Sequence, residues 1–134
     1  MNSIRNISLM LLAGFASVLF VSACKDEAAI TTADIAISSP LAEATIENGE
    51  EVHMIGTIKT EGELHGYEIH LYNKTAGTEV FTLDEHVHGQ TLAFDEHWIN
   101  NVVEHSEMEM EIVAVLNHEG DITVSKKVNF HCHP

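Results

Sequence analysis

The chain has 134 residues, with 21 acidic against six basic side chains, a formal charge of −15 at pH 7 and ten histidines. So anionic a surface excludes nucleic acid as a partner, and it excludes direct binding to acidic lipid headgroups. It favours solubility and draws in cations.

Residues 1–23 (MNSIRNISLMLLAGFASVLFVSA) carry one positive charge, Arg5, and then an apolar run that reaches Val21. This reads as a secretory leader, too short and wrongly flanked to stay as a membrane span. The run closes on Val21-Ser22-Ala23-Cys24, which resembles the lipobox of bacterial lipoproteins. The resemblance implies lipidation of Cys24, with more than one acyl chain giving firm attachment to the membrane. Lys25-Asp26-Glu27 resembles the short signal that sends lipoproteins of the Bacteroidota to the outer face of the outer membrane, which implies a cell-surface location. Removing 23 of 134 residues leaves 111, with five basic residues against 21 acidic ones and a charge of −16. About 110 residues suffice for one domain with a real core. With Cys24 given to lipid, Cys132 is the only free thiol, so no disulfide forms within one chain.

Residues 24–33 form the lipidated cysteine and a small, polar tether, and a single domain is expected over 34–134. Short β-prone runs follow, broken by turn residues: strands near 34–37, 44–47, 51–59, 66–73, 78–83, 89–94, 108–117 and 122–131. Several alternate apolar and polar positions, as in Val52, Met54 and Ile58, in Tyr67, Ile69 and Leu71, and in Met108 through Leu116. The runs NKTAG (73–77) and NHEGD (117–121) carry the Asn, Asp and Gly of hairpin loops. The stretch DEHWINNVVEHSE (95–107) breaks the alternation. Trp98, Val102 and His105 would share one helical face there, so a short helix or an irregular crossing is expected, with Trp98 as a core plug. About seven short strands at this spacing predict an all-β, antiparallel, immunoglobulin-like β-sandwich. The entry ISSPLAEATIENGEEV, the strand GYEIH and the final hairpin VLNHEGDITVSKKVNF resemble the small immunoglobulin-like domains of Bacteroidota lipoproteins, a His-rich kind without a characterised activity. That resemblance implies the fold rather than any chemistry.

Chemistry concentrates in the histidines. Side chains at i and i+2 of a strand share a face, so His86 and His88 in EHVHG are placed to share one ion, as are His131 and His133 in FHCHP. Four imidazoles suit zinc in a tetrahedron or copper(II) in a flatter array. Cys132 faces the core in phase with Val128 and Phe130 if the last strand stays regular. If the chain curls, it converges with its two neighbours. His70, His65 and His97 are further candidates, whereas His53, His105 and His118 read as solvated. Met108 and Met110 could bind copper(I), but they share the phase of Ile112, Ala114 and Leu116 and read as core. FHCHP also resembles the C-terminal copper motif of multicopper oxidases. That family needs further histidines and ligands from several domains, so the oxidase reading is rejected. No Gly-x-Ser-x-Gly, phosphate loop or His-Glu-x-x-His occurs.

The expectation is therefore a non-enzymatic, lipid-anchored protein that binds zinc or copper through His70, His86, His88, His131, Cys132 and His133, with an outer-membrane protein as a further partner. The alternative is an interaction module of an outer-membrane assembly whose histidines are merely solvated or respond to pH. A small redox enzyme is the least favoured reading.

Overall fold

A computed structural model describes residues 32–134. The leader, Cys24 and the Lys25-Asp26-Glu27 signal lie outside the described residues. Eight strands follow in chain order: β1 Ala33–Ser39, β2 Thr45–Ile46, β3 Glu51–Leu64, β4 Gly66–Asn73, β5 Thr78–Glu85, β6 Gly89–Ile99, β7 Ser106–Val115 and β8 Thr123–Cys132. They form two sheets, one ordered β1-β3-β6 and the other β2-β8-β7-β4-β5. All pairings are antiparallel except the two-residue parallel contact of β2 with β8. The fold is an immunoglobulin-like β-sandwich.

Alternation along the strands decides which side chains meet between the sheets. Val52, Met54 and Ile58 of β3, Ile69 and Leu71 of β4, Met108, Met110, Ile112 and Ala114 of β7, and Phe130 and Cys132 of β8 are all fully buried. Each large apolar side chain so buried contributes about 1.5–3 kcal/mol, which offsets the ordering entropy of the chain. Polar partners hold the outer face of the larger sheet. Lys127 bridges Glu109 at 2.7 Å and Glu111 at 3.3 Å. In the smaller sheet Gly56 permits a close approach: a Cβ there would collide with the Ala36 carbonyl and stand 2.5 Å from Phe94 Cζ.

Two expectations are corrected. β6 runs on through Trp98 to Ile99, so the helix alternative over 95–107 fails, while the irregular crossing is found over residues 100–105. The ladder to β3, with Trp98 opposite Val52, outcompetes the helical pattern. Trp98 packs against the core but is only partly buried, while Val102 is buried and His105 exposed. β3 also extends five residues beyond the expected end, to Leu64, because the chain stays extended as it passes from one sheet to the other.

Candidate metal centre

Two chain segments cross between the sheets side by side. β3 leaves the smaller sheet at Leu64 and β4 enters the larger one at Gly66, with His65 between them. β5 leaves the larger sheet at Glu85 and β6 enters the smaller one at Gly89, with His86-Val87-His88 between them. The register ties the crossings together, since Leu64 pairs with Gly89 and Tyr67 with Glu85. The second crossing therefore carries one residue more than the first, a bulge of the kind that turns sheet corners. Val87 packs against the core, and its flanking histidines turn outward. Gly66 lets the segments touch, for a Cβ there would meet the Glu85 carbonyl oxygen at 2.9 Å and His86 Cα at 3.8 Å.

The result is a histidine cluster at one end of the sandwich. His86 Nε2 and His88 Nε2 stand 3.2 Å apart, with ring centroids 4.8 Å apart and planes at 89°. The His65 ring lies 5.3 Å from that of His88 and 6.1 Å from that of His118, which sits on the β7–β8 turn. The turn is shaped by Gly120 at φ +76° and by Asn117, whose Oδ1 accepts from Ile122 N at 3.0 Å. His88 Nδ1 is 3.2 Å from Glu63 Oε1. A proton on Nδ1 would be donated to this carboxylate, and in that tautomer the Nε2 lone pair faces His86. His65 Nδ1 is buried without a hydrogen-bond partner among the described residues. An unmade bond of this kind costs about 1–3 kcal/mol. His65, His86, His118, Asp84 and Glu85 line a shallow depression here. Among the described residues no three potential ligands already surround one point, so the rings are neighbours that must rotate to share an ion.

The expected single centre of four imidazoles is corrected. His86 and His88 lie beside the end of β7 that pairs with Thr123, whereas His131 and His133 lie at the other end of β8. Ten residues of strand at about 3.4 Å each separate the pairs by about 30 Å. Cys132 joins neither pair. β8 stays regular to its end, and the thiol is fully buried and pushed up to about 11 by that burial.

Three other sequence candidates, His70, His131 and His133, contact carboxylates. His70 lies between Glu79 (Nδ1 to Oε1, 2.7 Å) and Glu68 (Nε2 to Oε2, 2.8 Å). Partial burial works to lower its pKa, but these two carboxylates outweigh it and raise the pKa above the ordinary 6.5. His131 lies between Glu43 at 3.2 Å and Glu107 at 3.0 Å, and its pKa is raised chiefly by Glu43. His133 reaches Glu47 at 3.4 Å and packs edge-on against His105, with centroids 4.3 Å apart. His97 pairs across the strands with His53 on the smaller sheet. Of the histidines at the cluster, His118 carries no sequence pattern that marks it, and Glu63 becomes visible only through the β3 extension.

The chain matches no protein-family profile and no curated protein sequence. Among solved structures it resembles the fibronectin(III)-like modules of Clostridium thermocellum CbhA, at 18% identity and a TM-score of 0.50, over 75% of this chain and 96% of that one. It also resembles Spo0M, a sporulation control protein from Bacillus subtilis, at 12% identity and a TM-score of 0.52, over 78% of this chain and 50% of that one. At these identities the likeness is one of architecture, a fibronectin III-like β-sandwich.

Proposed function

We propose that this chain is a lipid-anchored, non-catalytic module of the cell envelope that captures a transition metal, zinc or copper, at the His86–His88 pair. The observation that carries the reading is the 3.2 Å separation of the two Nε2 atoms, with Glu63 against the far nitrogen of His88. A metal-bound histidine usually offers its second ring nitrogen to a carboxylate in this way. The acidic surface raises the local cation concentration, and a surface protein could receive the ion. Anchoring rests on the resemblance of Val21-Ser22-Ala23-Cys24 to a lipobox.

The test is native mass spectrometry with elemental analysis on protein prepared without an affinity tag. One equivalent of metal is expected, and it should vanish in the His86→Ala/His88→Ala double variant. Metal at 100 times Kd adds about 2.7 kcal/mol, which is worth a rise in Tm of about 10 °C in a domain of this size. Wild-type protein that binds no zinc or copper and gains no thermal stability from either would refute capture. Fatty-acid labelling that survives Cys24→Ala would refute the anchor.

A further inference from the structure

Resting on the reading of His86 and His88 as a metal pair, we infer that His65 is the third ligand and His118 the fourth, in a tetrahedral zinc-class site that disfavours copper(II).

Two nitrogens on one tetrahedral ion, each about 2.05 Å from it, lie about 3.3 Å apart. The rings they belong to have centroids about 5 Å apart. The Nε2 atoms of His86 and His88 are 3.2 Å apart, and the centroid distances are 4.8 Å for that pair and 5.3 Å for His65 with His88. A square array of similar bond length would instead demand neighbouring nitrogens about 2.8 Å apart. His65 contributes more than proximity, because its Nδ1 is buried and unpartnered among the described residues. Rotation of the ring toward His88 would give that nitrogen a bond. Its backbone is fixed while the ring turns, since His65 N donates to Val115 O at 2.9 Å and Gly66 pairs with Val115.

His118 stands farther off, 6.1 Å from His65, on an exposed turn. It closes the shell by a small movement of the β7–β8 hairpin. The chemistry of the corner also selects the ion. Copper(I) prefers thiolate and thioether ligands, but Cys132, Met54, Met108 and Met110 are all fully buried in the core. The corner offers nitrogen, with the Glu63, Asp84 and Glu85 carboxylates near enough to offset the charge of a divalent ion.

The test uses the full chain with metal alone as the probe. In the wild type, imidazole nitrogen NMR during zinc titration should move the His65 resonance together with those of His86 and His88, complete at one equivalent. Cobalt(II) in place of zinc should give the intense visible bands of a tetrahedral site. Competition with a chelator should show His65→Ala weakening zinc by about 100-fold or more, and His118→Ala by about tenfold. Copper(II) should bind more weakly than zinc, against the general affinity order. Should His65→Ala fail to fold, the wild-type NMR and cobalt spectra decide alone. Zinc binding that needs His86 and His88 but leaves His65 unmoved overturns this inference and spares the capture reading. Absence of zinc binding alone overturns this inference, and absence of both zinc and copper binding overturns the capture reading as well.

Discussion

Replacing Cys24 with serine leaves Cys132 as the only thiol in the chain, and its reactivity then reports how the end of β8 is held. Burial pushes the thiol from an ordinary 9.0 up to about 11. At pH 7.4 the thiolate fraction falls from about one in 40 to about one in 4,000, a hundredfold loss of the reactive species. Exposure is zero, so a reagent must also wait for the strand to open. The opening has to break three backbone bonds that hold this end to the β1–β2 segment: Glu43 N to Asn129 O, His131 N to Ala44 O and His133 N to Ile46 O. The assay is the rate of labelling by a soluble disulfide reagent, in native buffer and in urea. Native protein should react more than about 100-fold more slowly. Cys132→Ala should leave zinc affinity within about twofold, because the thiol lies about 30 Å from the histidine corner. Native labelling within about tenfold of the denatured rate would refute the regular, core-facing end of β8.

Glu63→Gln should weaken zinc by about 10- to 100-fold without changing the Tm of the metal-free protein, because Glu63 is exposed and its effect runs through His88 Nδ1; competition titration and a melt without metal check this together. Gly56→Ala should cost about 1–3 kcal/mol or more, since both Phe94 and the Ala36 carbonyl would have to move, and denaturant unfolding reads the loss. His70 has a folded pKa raised above 6.5, so its contribution is full below pH 6.5 and fades as pH rises through the folded value. The stability difference between wild type and His70→Gln, about 0.2–1 kcal/mol for each partly exposed carboxylate pair, should accordingly be present at pH 6 and shrink as the pH is raised. A difference that grows with pH would contradict the paired geometry.

The sandwich was legible because its signal is local. Val52, Met54 and Ile58, and Met108 through Leu116, alternate at a period of two and are buried on that period. Cys132 was legible for the same reason, through its phase with Phe130. Over 95–107 the helix alternative fails although Trp98, Val102 and His105 fit a helical spacing, because the competing ladder to β3 is non-local and leaves no mark in that window; the irregular crossing is found over 100–105. The site was half legible. The i, i+2 spacing placed His86 and His88 together, but no spacing could show that His65 and His118 come to the same corner. That follows from the pairing of Leu64 with Gly89 and of Gly66 with Val115. The supposed partnership with His131 and His133 failed for the same reason, since strand direction alone decides which end of a sheet a residue occupies.

The abundance of histidine itself has a physical reading. Twenty-one carboxylates face only six basic side chains, so most acids on the two sheets have no lysine or arginine within reach. Imidazoles stand beside them instead, at His53 with Glu51, His70 with Glu68 and Glu79, His131 with Glu43 and Glu107, and His133 with Glu47. At His70 and His131, each set between two carboxylates, both ring nitrogens face acid oxygens and the pKa is raised above 6.5. The corner where the two chain crossings meet reverses the arrangement. His86 and His88 face each other across 3.2 Å, a contact that needs a lone pair on at least one nitrogen, and among the described residues their only ion-pair contact with a carboxylate, Glu63, lies on the far side of His88. One residue type thus lies beside carboxylates over much of the surface and faces its own kind at one corner. What separates the two settings is whether a carboxylate or a second imidazole occupies the space in front of the ring nitrogen.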